Sequence, residues 1–467
     1  MSLQPAPADG LPLRERRLAY LALALAIAMA VLDGSIANTA LPTIARDLGA
    51  SPTESIWVVN AFQLAVTASL LPLAALGQLR GPARVYRAGV VVFIVGSIAC
   101  ALSRSLPLLI AARAFQGLGA SAVMAISPAL LREIYPRAQL GRALGLNAVV
   151  VATSAAAGPA LGGLLLAIAP WPLLFAINVP FGLANMALNR VLPRDDRRAG
   201  SLDFPSVATS ALGFSLTIYG LDGIARQEPP WTIAARLVVG VACTFAFVRR
   251  QFKLPHPMIA LDLFRIPAFS IAGATSFATF TAQGLTYVVL PFFFQLALGR
   301  TPLASGLLLM SWPLAIALVA PIAGRLSDRF PAGILSTIGL AVLTLGLALY
   351  ARLPANPSDF EILARGAVCG LGFGFFQSPN NRELIGSAPR SKSPSAAGLL
   401  AAIRVGGQTV GASIVAIVFG AFGASFAAGI PAHDVVARAT PAALWIACAC
   451  AAVATLASAL RLRRKPG

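Results

Sequence analysis

The sequence has little charge for its length. Asp, Glu, Lys and Arg make up 11% of the 467 residues, whereas hydrophobic residues make up 57%, and the mean hydropathy is +0.79. Such a composition excludes an ordinary soluble globular domain. Apolar runs of about 20 residues recur along the chain, and each is long enough to cross a hydrocarbon core of ~30 Å. The sequence therefore predicts a membrane protein built almost entirely of spanning segments.

Residues that bind metals and cofactors are also scarce. The two histidines, His256 and His433, fall in connections between apolar runs, and the five cysteines lie inside those runs. Cys448 and Cys450 are two positions apart, so they point to different faces of a helix and make a poor metal pair. The sequence also lacks a Gly-x-x-x-x-Gly-Lys-Ser/Thr loop and a nucleophile–base constellation. We therefore expect no cofactor, no metal site, no enzymatic activity and no pumping by ATP.

Negative charge is scarcer than positive charge. The 36 Lys and Arg exceed the 17 Asp and Glu, which gives a formal net charge of +19. The basic residues are scattered over short loops, so they indicate membrane topology rather than binding to nucleic acid. Of the 36, 26 lie in segments assigned to the cytoplasm, seven on the opposite side and three within predicted spans. This bias predicts cytoplasmic termini. The excess of Arg over Lys suggests a bacterium with a GC-rich genome, and the predicted spans then imply its cytoplasmic (inner) membrane.

Fourteen apolar runs predict an all-α polytopic protein with fourteen transmembrane helices. We expect two six-helix halves, at 19–190 and 268–460, and a linker over 191–267 that carries an inserted pair of helices. Cytoplasmic tails are expected at 1–18 and 461–467. A weak repeat supports the two halves, because GQLR at 77–80 and GRLSDR at 324–329 each follow the second span of a half. The predicted spans are 19–41, 54–78, 86–104, 106–130, 143–166, 170–190, 205–223, 231–248, 268–296, 303–324, 332–352, 358–379, 395–423 and 440–460.

One carboxylate lies inside the first span. Asp33 is about 14 residues into a helix that runs outward, or ~21 Å from the cytoplasmic side. A charged residue at such depth is costly, so it is by default a functional candidate. Burial favours the neutral carboxyl and a nearby cation favours the carboxylate, so a group balanced between the two could load and release protons. The alternative is a permanently charged partner of an arginine that only fixes helix packing.

Arg113 is the predicted partner of Asp33. The fourth span runs inward, which puts Arg113 ~10 Å from the outer surface, at a depth similar to that of Asp33. Gln116 and Gly117 follow at i+3 and i+4 and share its helix face, so we expect a polar patch that avoids lipid. The pair could be coupled to proton movement, or it could be a salt bridge that holds the helices together.

The fifth span carries small residues and a proline. Ser154, Gly158 and Gly162 recur every four residues, which leaves one helix face almost bare and allows close helix contact. Pro159 removes a backbone hydrogen bond and bends the helix. Helix packing is the simpler interpretation, and a pivot for movement of the two halves is the alternative.

Four stretches together resemble the major facilitator superfamily, specifically its fourteen-helix drug:proton antiporter branch. The stretch LDGSIANTALP at 32–42 resembles the first-helix motif of that branch, and RAFQGLG at 113–119 resembles the fourth-helix motif. GPALGG at 158–163 resembles the fifth-helix motif associated with antiporters, and NVPFG at 178–182 falls where the sixth-helix motif is expected. The resemblance covers nearly the whole chain, including the inserted pair.

The resemblance implies roles for these motifs. Asp33 and Arg113 would take part in proton coupling. Asn38, Gln116 and Gly117 would belong to the pathway. The fifth-helix motif would help to seal the pathway and favour export, and its residues are Gly158, Pro159, Gly162 and Gly163.

One departure from the family pattern concerns the cytoplasmic gate. The loop after the second helix usually carries an acidic residue and basic partners, but GQLRGPAR at 77–84 has no acid. The second-half copy keeps Asp328 and Arg329, which are therefore the candidate gate residues.

Several polar residues in the second half are candidates for a substrate cavity. Gln283 and Gln295 could offer hydrogen bonds. Arg404, about 8 residues into its span and ~12 Å from the cytoplasm, could pair with a carbonyl, a substrate anion or a gating group. The aromatic residues at 280, 287 and 292–294 could line the cavity, although facing lipid is the commoner role of phenylalanine. Asp222, at the end of the first inserted helix, is expected to be solvated.

These sequence features are compatible with two functions. The leading hypothesis is a proton-driven exporter of lipophilic, possibly cationic compounds, whose partners are a small-molecule substrate, protons and the lipid bilayer. The alternative is a dedicated proton-coupled exporter of a sugar, amino acid or other metabolite. A membrane enzyme or receptor is disfavoured because the chain has neither a reactive constellation nor a soluble module. The sequence leaves open whether a periplasmic adaptor takes part.

Overall fold

The computed structural model of the protein describes residues 10–136, 139–193, 203–254, 257, 259–327, 329–389, 392–423 and 432–462, and the regular structure within them is helical. Short 3₁₀ segments lie at Asn189–Val191 and Leu261–Arg265, and a π-helical turn lies at Phe293–Ala297. The α-helices are α1 (Leu13–Asp47), α2 (Pro52–Ser55), α3 (Trp57–Arg80), α4 (Pro82–Leu102), α5 (Leu106–Ile134), α6 (Leu140–Ile168), α7 (Leu173–Ala176), α8 (Asn178–Leu188), α9 (Phe204–Ala225), α10 (Pro230–Gln251), α11 (Pro267–Phe292), α12 (Pro302–Leu309), α13 (Ser311–Leu326), α14 (Ala332–Ala351), α15 (Asp359–Gly386), α16 (Ser393–Ala421) and α17 (Ala432–Leu462).

Twelve helical segments of the described chain are long and apolar enough to cross a membrane. They coincide with twelve of the fourteen predicted spans. The predicted span at 170–190 holds α7 and α8, which together reach only from Leu173 to Leu188 and are too short to be counted among the twelve. The predicted span at 358–379 lies within α15, which is helical but more polar. The protein is thus an all-helical membrane protein with twelve candidate spans, and the count of fourteen stays a prediction.

The ends of the helices extend beyond the apolar runs. The predicted tail boundary at residue 18 falls inside α1, which begins at Leu13 and has 35 residues, or ~52 Å of helix. The boundary at 461 falls inside the last turns of α17. Hydropathy detects only the part of a helix that lies in hydrocarbon, so helices that project beyond it are predicted too short.

The spanning helices alternate in direction because their connections are short. We call the side at which α1 begins the near side and the side at which it ends the far side. On the near side, the N–H of Leu11 donates to the carbonyl of Ile134 at 3.0 Å, and Nη1 of Arg16 donates to Oε1 of Gln139 at 2.9 Å. The start of α1, the end of α5 and the start of α6 therefore meet on the near side.

The two helices of the predicted inserted pair, α9 and α10, pack against each other through glycine. A Cβ added to Gly213 would lie 2.9 Å from the backbone nitrogen of Thr244, so the two helix backbones are close. Helix α9 also packs against α3 and α16. This pair therefore touches helices from both predicted halves.

The expectation that Asp222 is solvated is wrong. Its side chain is 1% exposed and lies 2.6 Å from Nε of Arg226. The reason is the close approach of α16, in which a Cβ on Gly420 would lie 2.9 Å from the carbonyl carbon of Ala225. Helix α16 thus covers the end of α9, and hydropathy along the sequence does not show which helices pack together.

The aromatic residues at 280, 287 and 292–294 do not face lipid. Phe280, Phe292, Phe293 and Phe294 are buried, and they belong to one large apolar core that also contains residues of α1, α3, α15 and α16. Tyr287 is half-buried against the same core. Helix α11 therefore lies in the interior of the bundle, and its polar residues are candidates for an interior site.

Candidate proton and substrate site

Asp33 lies near the middle of α1 and is 2% exposed. Its Oδ2 accepts a hydrogen bond from Nη1 of Arg113, which forms an ion pair. Its Oδ1 accepts hydrogen bonds from Nε2 of Gln116 at 2.9 Å and from Nδ2 of Asn178 at 2.8 Å. Three helices, α1, α5 and α8, thus meet at one carboxylate. The depths estimated from the sequence paired the right two residues, while their role in proton coupling stays a prediction.

Arg113 is fully buried and is held by more than its ion pair. Its Nε donates to the carbonyl of Val58 at 3.0 Å, and its Nη1 also donates to Oε1 of Gln116 at 2.5 Å. The guanidinium carbon lies 4.2 Å from the ring centroid of Phe62 and 5.3 Å from that of Phe175. The guanidinium is thus in contact with a carbonyl, a carboxylate and two ring faces. The Asp33–Arg113 pair is therefore neutral as a unit and needs no further counter-ion.

Gln116 connects the pair to α4. Its Nε2 donates to Oγ of Ser97 at 2.8 Å, and that hydroxyl donates to the carbonyl of Phe93. The contact depends on Gly96, where a Cβ would lie 2.6 Å from Cα of Gln116. Because glycine stands there, α4 and α5 come close enough for a short serine to reach the glutamine.

Gly117 lies behind the pair and permits the approach of α3. A Cβ at this position would lie 2.6 Å from the carbonyl oxygen of Phe62. The close contact brings the Phe62 ring and the Val58 carbonyl onto Arg113. The structure therefore gives Gly117 a packing role that positions the arginine, and its place in the pathway stays a prediction.

Sequence reasoning missed two hydrogen-bonding side chains of this cluster. Asn178 stood in the stretch compared with the sixth-helix motif, but it received no role. An amide within an apolar run is a usable signal, because a polar group at membrane depth needs a partner. Ser97 gave no such signal, since serine is common in spanning helices and can bond its own backbone.

The fifth-helix motif lies between two other helices. Gly158 and Gly162 face α1, where a Cβ on Gly158 would clash with Cβ of Ser35 and one on Gly162 would lie 3.3 Å from Cα of Ile36. The backbones of α1 and α6 are therefore in direct contact just after Asp33.

The other side of the motif faces α12. A Cβ on Gly163 would lie 2.6 Å from the carbonyl oxygen of Pro302, and a Cβ on Gly306 would clash with the carbonyl oxygen of Pro159. Glycine on both helices thus permits backbone contact between the two predicted halves on the far side. We call the residues Pro159, Gly163, Pro302 and Gly306 the far-side seal. Sequence analysis missed Pro302 and Gly306, which lie in an ordinary apolar run.

Asn38 and Gln295 lie near this seal. Asn38 lines a small cavity together with Ser35, Thr39, Pro159, Tyr287 and Leu309. Its buried Oδ1 has no hydrogen-bond partner among the described residues. Nε2 of Gln295 donates to the carbonyl of Thr39 at 2.8 Å. Gln295, a predicted cavity residue, is therefore placed at a contact between α1 and the end of α11.

A second polar cluster lies between α11 and α16. Nε2 of Gln408 donates to Oε1 of Gln283 at 3.1 Å, and the guanidinium carbon of Arg404 lies 5.6 Å from the ring centroid of Phe280. The helices meet through Gly284, where a Cβ would lie 2.6 Å from Cα of Gln408. The structure thus brings Gln283 and Arg404 together and leaves Gln295 apart from them.

The second cluster also touches the first predicted half. Oγ1 of Thr409 donates to Oε1 of Gln63 at 3.2 Å, which joins α16 to α3. Gln63 lies between Phe62 and Val66 of α3, which share an apolar cluster with Val405 of α16. The cluster therefore lies at an interface between the predicted halves, where transporters built from repeats bind substrate.

The predicted gate is only partly described. Asp328 lies outside the described residues. Arg329 is exposed just after α13, and its N–H donates to the carbonyl of Leu326 at 3.0 Å. Its role in gating stays a prediction.

An interior ion pair and a polar interface within a bundle of spanning helices are features of a membrane transporter. The chain matches the family model of the Major Facilitator Superfamily over residues 23–249 and 272–467, and it belongs to that superfamily. It is therefore a membrane transporter rather than an enzyme.

Several curated relatives are similar over most of their length. The chain is 48% identical over 419 residues to the uncharacterized transporter YebQ of Escherichia coli K12, covering 89% of this chain and 92% of that protein. It is 31% identical over 398 residues to the riboflavin transporter RibZ of Clostridioides difficile, covering 84% and 86%. It is 30% identical over 416 residues to the multidrug resistance protein Stp of Mycobacterium tuberculosis, covering 88% and 77%.

Solved structures show the same fold. A bacterial homologue of the human lysosomal transporter Spinster, in an inward-facing and unoccupied conformation, matches with a TM-score of 0.70 at 14% identity and covers 98% of this chain and all of that one. A POT family transporter in complex with a thioalcohol-conjugated peptide also matches with a TM-score of 0.70, at 13% identity over 95% of each chain. At these identities the likeness concerns the fold alone.

Proposed function

We propose that the protein is a proton-coupled antiporter that exports lipophilic small molecules from a bacterial cytoplasm. The observation that carries this proposal is the buried carboxylate of Asp33, which receives hydrogen bonds from three side chains on two other helices. In the proposed topology the near side is cytoplasmic, both termini are inside, and fourteen helices form two halves with an inserted pair.

Protonation of Asp33 would change the contacts of three helices at once. In the observed arrangement three N–H donors point at the carboxylate. A proton on either oxygen removes the negative charge that attracts Arg113. The guanidinium keeps its bonds to Val58 and Gln116, so it stays with α3 and α5 while its hold on α1 weakens. Proton binding therefore favours a displacement of α1 relative to α5 and α8.

A displacement of α1 has a direct route to the far-side seal. Ser35 and Ile36 follow Asp33 within one helical turn, and both contact the glycine face of α6. The opposite side of α6 makes the backbone contacts with α12 at Pro302 and Gly306. A continuous set of packed backbones thus joins the proton site to the contact between the halves, which is the kind of connection that coupling requires.

The energy available is adequate for export. A potential of ~100 mV supplies ~2.3 kcal/mol for each proton that enters. Since 1.4 kcal/mol corresponds to a factor of ten, one proton per substrate can sustain a concentration ratio well above tenfold.

The test measures substrate and proton movement together in energised inverted vesicles. Fluorescent lipophilic compounds that are cationic, neutral and anionic would be offered to the wild type, to Asp33→Asn and to Asp47→Asn, with a pH dye alongside. Asp47 is a matched control because it lies on the same helix but is exposed at its end. We expect opposite movement of substrate and protons in the wild type and in Asp47→Asn, and neither in Asp33→Asn. Normal transport by Asp33→Asn would mean that this carboxylate only holds the helices together.

A dedicated metabolite exporter is the second candidate. Its support is the similarity to a protein named as a riboflavin transporter, together with the side-chain amides of Gln63, Gln283 and Gln408 at the interface between the predicted halves. Amide pairs can recognise a particular set of hydrogen-bonding groups, which favours narrow specificity. Competition assays decide between the two: unrelated lipophilic compounds would inhibit a broad exporter and leave a dedicated one unaffected.

A further inference from the structure

Arg404 differs from the other embedded charges of the protein. Asp33 is paired with Arg113, Asp222 with Arg226, and Glu383 with Arg461. In the part of the chain that the structure describes, Arg404 has no carboxylate within ion-pair distance and no hydrogen-bond acceptor. The Phe280 ring lies beside its guanidinium, and Tyr287 is close enough to interact with its charge. The interior of the bundle therefore holds one positive charge that nothing in the described protein neutralises.

Arg404 lies far from the end of its helix. Helix α16 begins at Ser393, so Arg404 lies 11 residues along it, or ~16 Å from the near end. Arginines that relieve their charge by snorkelling lie near helix ends, and Arg404 does not. The side chain is nevertheless partly accessible, whereas Arg113 is completely enclosed. An accessible, unpaired charge at membrane depth is a binding group by default.

The surroundings of Arg404 combine aromatic and amide groups. An edge-to-face series of rings runs from Phe280 to Phe373 at 5.6 Å, from Phe373 to Trp312 at 6.4 Å, and from Trp312 to Tyr287 at 5.5 Å. One helical turn beyond Arg404 on α16, Gln408 is hydrogen-bonded to Gln283. The guanidinium thus stands between an aromatic wall and a pair of amides.

We propose that Arg404 is the counter-ion of the substrate, and that the protein exports aromatic compounds that carry a carboxylate or another oxyanion. This proposal rests on the export function proposed above and narrows its substrate class. The planar fork of a guanidinium matches the two oxygens of a carboxylate. Phe280 is 1% exposed, so the apolar body of the substrate takes its place beside this ring only when α11 and α16 move apart. The amides of Gln283 and Gln408 offer further hydrogen bonds. A lipophilic cation would instead meet an uncompensated positive charge, so the cationic substrates considered from the sequence become the disfavoured class.

The charge of the substrate also affects the energetics of export. When a monovalent anion leaves and one proton enters, each cycle moves two charges in the direction that an inside-negative potential favours. A neutral substrate exchanged for one proton moves a single charge. An aromatic anion is therefore exported with a larger contribution from the membrane potential.

The test is equilibrium binding of small-molecule probes to the purified full-length protein in lipid nanodiscs. Binding is measured by the quenching of tryptophan fluorescence or by calorimetry. Naphthalene and anthracene probes would be used, each as the carboxylate, the neutral carboxamide and the aminomethyl cation. The variants are Arg404→Gln, Arg404→Lys and, as a matched control, Arg365→Gln. Arg365 is also an arginine of a spanning helix, but it bonds the carbonyl of Leu349 and lies near Glu361.

We expect the wild type to bind each carboxylate about tenfold or more tightly than its carboxamide, as one charge-assisted hydrogen bond allows. Arg404→Gln should abolish that preference, Arg404→Lys should retain part of it because the charge stays while the fork is lost, and Arg365→Gln should keep it. Equal binding of the carboxylate and the amide by the wild type, absence of carboxylate binding, or a preserved preference in Arg404→Gln would overturn the proposal. If a variant does not fold, the comparison of carboxylate and carboxamide binding by the wild type still tests the proposal.

This experiment separates the two proposals. Binding in nanodiscs needs no proton gradient, so a preference for anions would stand even if Asp33→Asn left transport unchanged. Conversely, proton-coupled transport of neutral or cationic compounds with no preference for anions would leave the export function intact and reject the role of Arg404.

Discussion

The far-side seal predicts a specific effect of adding one methyl group. In Gly163→Ala, the new Cβ would lie 2.6 Å from the carbonyl oxygen of Pro302 and 2.9 Å from Cα of Leu303. Ordinary contact begins at 3.4 Å, so α12 must retreat by the difference of 0.8 Å at this point. The neighbouring atoms are backbone, which cannot turn aside as a flexible side chain would.

The cost of this overpacking falls on one state of the transporter. Forcing an extra methyl into a packed contact costs ~1–3 kcal/mol. Only the sealed state pays it, since the contact with Pro302 is broken when the halves separate on the far side. The equilibrium should therefore shift toward the open far side by roughly 5- to 150-fold.

Labelling of a cysteine behind the seal measures that shift. Leu309→Cys, in a background without the five native cysteines, places a thiol in the cavity beside Asn38. In oriented cells, a membrane-impermeant maleimide should label it faster in Gly163→Ala. Gly386→Ala serves as the matched control, because a Cβ there meets nothing within 4 Å. Unchanged or slower labelling in Gly163→Ala would show that this contact does not close the pathway.

Two further predictions concern Asn178, which bonds to Asp33, and the ion pair of Asp203 with Arg250. Asn178→Leu removes one of the donors to Asp33, so we expect a loss of ~1.5–3 kcal/mol in the free energy of unfolding and impaired proton coupling. Thermal denaturation measures the first effect and vesicle transport the second. Unaltered values for both would contradict the proposed network. Outside the spanning segments, the Arg250 guanidinium lowers the pKa of Asp203 from 3.8 to about 2. Because the folded-state pKa is depressed, the stabilisation is present above pH 3.8 and is lost as the pH falls toward about 2. The difference in melting temperature between the wild type and Asp203→Asn should therefore be visible at neutral pH and shrink through that range, and a difference that grows on acidification would refute the assignment.

Under the functions proposed here, the two polar clusters have separate roles in antiport. The Asp33 cluster lies within the predicted first half and is internally neutral, which suits a group that exchanges a proton without holding a substrate. The Arg404 cluster lies on α11 and α16 and touches α3 through Gln63. Under the functions proposed here, protons and substrate use separate sites, so coupling must pass through helix movement rather than through direct competition.

The sequence by itself determined that the protein crosses a membrane many times and where most crossings lie, because hydropathy is a property of consecutive residues. It also singled out Asp33, Arg113 and Arg404, since a charge within an apolar run stands out without any structure. Depth along a helix paired Asp33 with Arg113, because helical rise converts residue number into position.

Only the tertiary structure decided which helix face meets which neighbour. A helix in a bilayer is apolar both toward lipid and toward protein, so its periodicity does not reveal the buried side. That is why Asp222 was expected in water and the aromatic residues of α11 in lipid, and why Asn178 and Gly306 received no role. The partners of Gly163, and the lack of an ion-pair partner for Arg404 among the described residues, depend on helices that come together from distant parts of the chain. No local sequence pattern records such contacts.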